Sequence, residues 1–173
     1  MQKKSLCTVV TDFCKYIKAD DSYIDVFEKI QSSSMGIYKH LGQTGEFIHF
    51  KELITNKEIK TICPSGYNGK QGEVWLVRIL PPISDHFDYS VVFTTPYVLE
   101  SVDQNNSDVE QNWLDFFKRN NTNKDSVDSY LKIMKTGLNA QYWNEYIFNA
   151  YKKSEANVVF LAGVPDIQSS ISM

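Results

Sequence analysis

The chain is poor in cysteine, proline and glycine, with three, five and eight of these residues among 173. Cys7, Cys14 and Cys63 are odd in number and form no C-x-x-C pair, which argues against a disulfide framework and a zinc site. Cys7 and Cys14 share one helix face, and we expect them to be buried. No apolar run approaches the roughly 18 residues of a membrane-spanning helix, and no long apolar segment follows the first residues, so we expect a cytoplasmic protein.

An excess of positive charge is also missing. Lysine and arginine number 18 against 21 aspartate and glutamate residues, which gives a formal net charge of -3. Over residues 34–100 the balance is six cations against seven anions, so no basic stripe marks the part of the chain with the most predicted strands. We therefore expect no membrane binding, and at most weak and salt-sensitive binding of nucleic acid.

Motifs for catalysis are absent as well. The glycine-spaced segment 66–72 is comparable to a phosphate-binding loop, but Pro64 stands where the first glycine is required, and Gln71 where serine or threonine is required. No G-x-S-x-G turn occurs, and no nucleophile, base and orienting group come together along the chain. The sequence therefore predicts no catalytic residue, no metal ligand and no cofactor.

The chain does contain clear helix patterns at both ends. Apolar residues at spacings of three and four predict a helix at 5–18, and then a second helix that Asp21 or Ser22 caps and that ends in the serine run 32–34. Three more helices are predicted later in the chain, at 108–119, 126–136 and 139–153.

Between these helices the pattern changes to short segments rich in β-branched and aromatic residues. Five strands are predicted, at 36–41, 45–54, 58–63, 73–80 and 89–97, and a last buried strand at 158–162. The strand 73–80 is apolar on both faces, which is typical of a central strand. Trp75, Trp113 and Trp143 lie on apolar faces, and we expect all three to be mostly buried.

We interpret this order as one compact α+β domain. Residues 1–33 form an N-terminal helical pair, 34–100 a five-stranded antiparallel small barrel or curled sheet, and 101–173 a C-terminal segment of helices, with one terminal strand, packed on it. The short connectors favour hairpins, so we expect residues 36–99 to be antiparallel throughout and strands 73–80 and 89–97 to pair. The architecture is similar to SH3-like or OB-like barrels, an analogy that transfers no function.

The first candidate ligand-binding residues are Tyr67, Asn68 and Lys70, in the glycine-spaced loop, and Arg78 on the following strand. The loop also suits a plain flexible connector. Arg78 replaces an apolar residue on its strand face, where it is either a clamp for an anionic ligand or a structural pair of a carboxylate in this chain.

Asp85, His86 and Asp88 are the second group of candidate ligand-binding residues. They follow the stiff pair Pro81-Pro82, and they suit either a surface turn or, together with His40 and His49, a metal site that nothing in the spacing favours. Three aromatic residues outside the predicted core faces either form a platform for a ligand or close the barrel ends. They are Tyr67, Phe87 and Tyr97.

The functional hypothesis that follows is a non-catalytic interaction module that binds a protein segment through its barrel, with the loops as the binding site. The first alternative is a barrel that binds single-stranded nucleic acid. The near-neutral charge argues against it, because proteins that bind nucleic acid usually carry an excess of lysine and arginine. The weaker alternative is a small-molecule-binding or hydrolytic enzyme that uses Arg78 and the loop 85–88. The sequence predicts neither the ligand nor the oligomeric state.

Overall fold

The structure is a computed structural model that describes residues 5–101, 108–121, 125–138 and 142–165. These residues form five helices and eight strands. The helices are α1 (Leu6–Tyr16), α2 (Asp21–Ser32), α3 (Val109–Arg119), α4 (Ser126–Thr136) and α5 (Tyr142–Ala150). The strands are β1 (Ser34–Thr44), β2 (Phe47–Glu52), β3 (Glu58–Ile62), β4 (Val74–Leu80), β5 (Ser90–Val92), β6 (Tyr97–Glu100), β7 (Tyr151–Ser154) and β8 (Val159–Ala162).

Five strands close into a barrel, as the sequence predicted. β1 pairs with β2 and with β4, β2 pairs with β3, and β5 lies between β3 and β4. The prediction of an entirely antiparallel unit is wrong, because β3 and β5 run parallel, with Thr61 opposite Ser90. The reason is geometric: directions cannot alternate all the way around a ring with an odd number of strands, so a closed five-stranded barrel must contain at least one parallel pair.

The fifth predicted strand, 89–97, divides into β5 and β6. Both pair with the same edge of β4: β5 with Ile79 and Leu80, and β6 with residues 74–76. The predicted pairing of 73–80 with 89–97 is therefore confirmed, but it is interrupted in the middle. There the backbone N–H of Arg78 donates to the Thr94 hydroxyl at 3.1 Å, and Pro96, which has no N–H to donate, precedes β6.

β6 extends the sheet beyond the barrel. It pairs in parallel with β8, the strand predicted at 158–162, and β8 pairs with β7 at the edge of the sheet. The prediction of a helix from 139 to 153 is wrong at its end, because residues 151–154 pair with β8 and so leave the helical path. Residues 139–141 lie outside the described part of the chain. Lys152 and Lys153 on β7 put charge on this edge, which opposes pairing with another sheet.

Local capping explains where the helices start and stop. The Ser5 side chain accepts a hydrogen bond from the N–H of Thr8 at the start of α1. For α2 the cap is Asp20 and not Asp21 or Ser22 as predicted, because the Asp20 carboxylate accepts from the N–H of Ser22 at 2.9 Å. Asp108 and Asp125 cap α3 and α4.

Two apolar clusters lie on the two sides of β4, because successive side chains of a strand point in opposite directions. Trp75, Val77 and Ile79 belong to the cluster that fills the barrel. Val74 and Leu76 belong to the other cluster, together with residues of α3, α4 and α5. Trp75 and Trp113 are fully buried. Trp143 is partly buried against the second cluster, and its indole N–H donates to the Ile133 carbonyl at 2.9 Å. All three tryptophans are therefore mostly buried, as predicted. None of the described helices is both long and apolar enough to cross a membrane.

Candidate binding site

The structure places the predicted ligand-binding residues at opposite ends of β4. Tyr67, Asn68 and Lys70 lie in the loop that precedes β4, whereas Arg78 and the loop 81–89 lie at and beyond its other end. A strand of this length spans roughly 20 Å. The predicted residues therefore form two separate groups, and we name the two regions the β3–β4 end and the β4–β5 end of the barrel.

At the β3–β4 end, Tyr67 packs on the barrel core. Its ring lies 5.2 Å from that of Trp75, and its hydroxyl donates to the Glu73 carboxylate at 3.1 and 3.2 Å. The Trp75 indole N–H donates to the same carboxylate at 2.9 Å. Burial and the neighbouring Glu73 carboxylate raise the pKa of Tyr67 well above its usual value. The ring of Tyr67 is thus used to cover the core at this end of the barrel.

Asn68 and Lys70 also contribute to the loop through their backbone. The Asn68 carbonyl is 2.9 Å from Nε2 of the buried His40, and the Lys70 carbonyl accepts a hydrogen bond from the N–H of Glu73. A Cβ atom on Gly69 would lie 2.4 Å from the Trp75 ring, so glycine is required there for the loop to approach the core. The Lys70 side chain is exposed. This end of the barrel is therefore closed by the loop itself.

Arg78 is half-buried and bonded within the chain. Its Nη1 donates to the carbonyl of Ser33 at 3.2 Å and lies 3.4 Å from the Ser33 hydroxyl. Ser33 follows the last turn of α2, so Arg78 ties that helix to β4. The partner is a backbone carbonyl and not the carboxylate that a structural ion pair would require.

The loop 81–89 is attached to α2 by a lysine. Lys29 Nζ donates to the carbonyls of Pro82 and Ile83, at 2.9 and 2.7 Å. Asp85 and His86 are exposed. Asp88 forms an ion pair with Lys60 of β3, and the hydrogen bond from Lys60 lowers the pKa of the Asp88 carboxyl below its usual value. Of the three residues predicted in this loop, Asp88 alone has a described contact with the barrel strands.

A row of three aromatic rings lies beside this ion pair. The ring centroids of Phe47 and Tyr89 are 5.4 Å apart, and those of Tyr89 and Phe87 are also 5.4 Å apart. Lys60 Nζ lies 4.6 Å from the centre of the Phe47 ring. Neither core cluster contains these three aromatic residues, and Phe87 is 44% exposed. We call Phe47, Tyr89 and Phe87 the aromatic row.

Sequence analysis predicted only Phe87 of this row. Phe47 and Tyr89 were included in predicted strands and so were assigned to the scaffold. The alternation in β2 contains the missing information, because Ile48 and Phe50 are buried, and residues on the opposite face, Phe47 among them, must then point outward. Which outward residues meet across three strands depends on the register, which the sequence does not provide.

A cavity of about 420 Å³ opens at the β4–β5 end. Its rim includes Lys57, Lys60 and Asp88, so it adjoins the aromatic row through the Lys60–Asp88 pair. Its buried lining residues include Tyr38, Ser90, Ile79 and Glu52, which are 4%, 6%, 7% and 8% exposed. The cavity therefore combines a charged rim with a carboxylate in its interior.

Glu52 is held by hydroxyl groups. The Tyr130 hydroxyl donates to one carboxylate oxygen at 3.0 Å, and the Thr55 hydroxyl donates to the other. The Tyr130 hydroxyl also accepts from the N–H of Ile37 at 3.0 Å. Burial, and the nearby Glu52 carboxylate, raise the pKa of Tyr38 and of Tyr130 well above the usual tyrosine value. Among the described residues no lysine or arginine forms an ion pair with Glu52.

Glu52 is not among the residues predicted from the sequence, although its position in the pattern of β2 is unusual. Glu52 follows Ile48 and Phe50 at intervals of two on the buried face of β2, where a carboxylate is unexpected. Within the described ranges, no group of three or more His, Cys, Asp or Glu residues is placed to hold a metal ion. Searches against protein-family models, curated proteins and solved structures found no match to this chain.

Proposed function

We propose that the protein is a non-catalytic interaction module that binds an extended protein segment along the aromatic row, beside the cavity at the β4–β5 end. The observation that carries this proposal is the continuous arrangement of three outward rings and a 420 Å³ cavity, joined by the Lys60–Asp88 pair. Aromatic residues are enriched at protein interfaces, and a polar rim around them supplies orientation.

The topology supports an OB-like barrel over an SH3-like one. β1 pairs with both β2 and β4, and the closed Greek-key arrangement is completed by the parallel pair β3 and β5. OB-type barrels bind their ligands on the face of the second and third strands and on the loop between the fourth and fifth. The aromatic row lies in that region of this protein, although the likeness does not identify the ligand.

The local charge favours a protein segment over a phosphate backbone. Lys60 is neutralised by Asp88, and Lys51 lies opposite Glu58 in the register of β2 and β3. A surface with paired charges and partly exposed rings does not attract a polyanion by charge, but it can hold a neutral or mildly basic peptide.

Glu52 adds a preference to this proposal. A buried carboxylate that has only hydroxyl donors can also bind a cationic group that reaches it from the cavity. We therefore expect the bound segment to place a lysine or arginine side chain in the cavity, between Glu52 and Asp88.

Single-stranded nucleic acid is the second candidate, and one observation favours it. Lys60 stands over the Phe47 ring, next to Tyr89, which is the combination of a cation and stacking surfaces that binds splayed bases. We place nucleic acid second because the lysines around the aromatic row are paired with acidic residues, so the surface has no surplus of positive charge.

The test is a selection from a library of random displayed peptides, followed by fluorescence anisotropy with the selected peptides. We expect a shared basic residue among them, and an affinity that falls about tenfold or more in Tyr89→Ala, as for an interface aromatic. The matched control is Tyr151→Ala. It removes an exposed tyrosine on β7, the edge strand that lies beyond β6 and β8 and outside the barrel, and it should leave binding unchanged.

Oligonucleotides of mixed sequence, measured at physiological salt with the same variants, separate the two candidates. Tighter binding of an oligonucleotide than of any selected peptide, lost in Tyr89→Ala, would establish the nucleic-acid function instead. Failure to select any peptide whose binding depends on Tyr89 would refute the proposal. A Glu52→Gln variant that binds the selected peptides normally would remove the predicted role of the cavity while leaving the aromatic row in place.

A further inference from the structure

The apolar side of α1 faces solvent and not the core of the protein. The buried residues of α1 are Thr11 and Cys14. The large apolar side chains point to solvent, and this contrasts with the usual burial of a helix's apolar stripe. The exposed residues are Leu6 (79%), Val9 (50%), Phe13 (57%) and Tyr16 (84%) of α1, and Ile17 (52%), which follows its last residue.

The contacts of α1 within its own chain use the opposite side. Thr8 is hydrogen-bonded to Gln31, and Lys15 forms an ion pair with Glu28 at 3.9 Å, both on or near α2. The apolar residues of α1 predicted the helix, but in the structure no described element covers the exposed ones. We call Leu6, Val9, Phe13, Tyr16 and Ile17 the α1 stripe.

The spacing of the α1 stripe is that of a helix–helix seam. Leu6, Val9, Phe13 and Tyr16 follow one another at intervals of three, four and three, which are the a and d positions of a heptad pattern. This order is symmetric about residue 11. When two copies of α1 lie antiparallel across a two-fold axis, Leu6 is therefore opposite Tyr16 and Val9 is opposite Phe13, so that each aromatic ring meets an aliphatic side chain.

We propose that the α1 stripe is the interface through which two copies of this chain form an antiparallel, two-fold symmetric dimer. Such an interface is isologous: the same surface contributes on both sides, and each contact occurs twice. The dimer is independent of the peptide site, because the stripe contains no residue of the aromatic row or of the cavity.

The exposed area is sufficient for a reversible dimer. From the fractional exposures, the stripe presents on the order of 600 Å² of apolar surface on each copy, and pairing would bury about 1,200 Å² in total, which is at the lower end of specific interfaces. We therefore expect a reversible dimer and not a permanent assembly.

The charge around the stripe argues against a membrane as the occupant. Residues 1–33 contain five anions, Asp12, Asp20, Asp21, Asp25 and Glu28, and five cations, Lys3, Lys4, Lys15, Lys18 and Lys29, so this part of the sequence has no surplus of positive charge. A helix that lies on an anionic lipid surface carries such a surplus on its polar side. A second copy of this chain needs no surplus of charge, because the apolar side chains of the two copies pack against each other.

Sedimentation velocity of the full chain, from low micromolar to near-millimolar concentration, tests the proposal. We expect a monomer–dimer equilibrium, and at least a tenfold higher dimer dissociation constant in Phe13→Asp. Phe148→Asp is the matched control, because Phe148 is an exposed phenylalanine on α5, with 85% exposure, outside the stripe. Circular dichroism establishes that both variants remain folded, and Val9→Asp provides a second variant should Phe13→Asp unfold.

The orientation has its own measurement. Chains with Val9→Cys are mixed with chains with Phe13→Cys, both in a background with Cys7 and Cys63 replaced by serine, and then oxidised. An antiparallel dimer yields mainly the mixed disulfide between positions 9 and 13, whereas a parallel dimer yields mainly disulfides between identical positions. A wild-type chain that stays monomeric at every concentration, a dimer unaffected by Phe13→Asp, or binding of the stripe to neutral lipid vesicles without self-association would each overturn the proposal.

Discussion

The two ends of the barrel have similar residue types but different roles. The loop at the β3–β4 end has Tyr67, Asn68 and Lys70, and the loop at the β4–β5 end has Phe87, His86 and Asp88. Tyr67 turns inward onto Trp75 and Glu73, and that end is closed. Phe87 stays outside in the aromatic row, and a cavity opens nearby. Residue type is thus a weak guide to ligand binding unless the partners of each side chain are known.

The glycines and prolines of the two loops account for part of this difference. Gly69 allows the first loop to approach Trp75 at a distance that no side chain would permit. Pro81 and Pro82 instead stiffen the chain directly after β4. Lys29 donates hydrogen bonds to the carbonyls of Pro82 and Ile83. One loop can therefore fold onto the core, while the other is held away from it.

The largest effect is expected at the closed end. Trp75→Ala should lower the free energy of unfolding by about 3–5 kcal/mol, because it empties the centre of the barrel core and leaves Glu73 without one of its donors. Chemical denaturation measures this. A loss below about 1 kcal/mol would show that this end of the barrel is not closed by a packed core.

An intermediate effect is expected at the hydrogen bonds of the buried Glu52, at the open end. Tyr130→Phe removes a donor to Glu52 and an acceptor for the Ile37 N–H, and we expect a loss of about 1–3 kcal/mol for buried groups left unpaired. Ser126→Ala, an exposed substitution on the same helix, is the control. Equal stability of the two variants in urea would contradict the described network.

Alkaline titration extends this test. The pKa values of Tyr38, Tyr67 and Tyr130 are raised in the folded protein, so the stability they contribute is complete below about pH 10, the usual tyrosine value, and is lost as the pH rises toward their folded values. We expect these tyrosines to stay un-ionised above pH 10 while exposed ones titrate. Ultraviolet absorbance of the phenolate follows this, and a single titration of all ten tyrosines at the usual pKa would contradict it.

Matched substitutions compare the two ends directly. Tyr67→Ala should cost about 1–2 kcal/mol, because the ring packs on Trp75, whereas Phe87→Ala should stay within about 0.5 kcal/mol. The order reverses for peptide binding, which Phe87→Ala should weaken and Tyr67→Ala should not. Thermal denaturation measures the stability of the two variants, and anisotropy measures their peptide binding. If the same variant had the larger effect in both experiments, the two ends of the barrel would not differ in role.

The smallest effect is expected for the exposed ion pair. The pKa of Asp88 is lowered, so its contribution is present above the usual carboxyl pKa and disappears as the pH falls through its lowered value. Asp88→Asn should therefore change stability little at neutral pH, and it should reduce the salt dependence of peptide binding. A large loss of stability in this variant at pH 7 would show that the pair has a structural role.

Much of the local structure could be predicted because its causes are local. Ser5, Asp108 and Asp125 cap helices by bonding N–H groups two or three residues away, and the periods of two and 3.6 identify strands and helices from neighbouring residues. The closed five-stranded barrel followed from the number of short strands and their connectors. The odd number of strands also requires the parallel pair β3 and β5 once the barrel closes.

The remaining features depend on contacts between distant parts of the chain. Whether Tyr67 lies inside, whether Phe47 and Tyr89 meet, and whether the apolar side of α1 is covered are set by register and packing across tens of residues. The amino-acid order alone specifies caps, periodicities and the two-sided apolar character of β4, because those interactions span a few residues. Only the tertiary structure decides which side chains remain exposed to a ligand or to a second copy, because closure of the barrel determines which surfaces are buried.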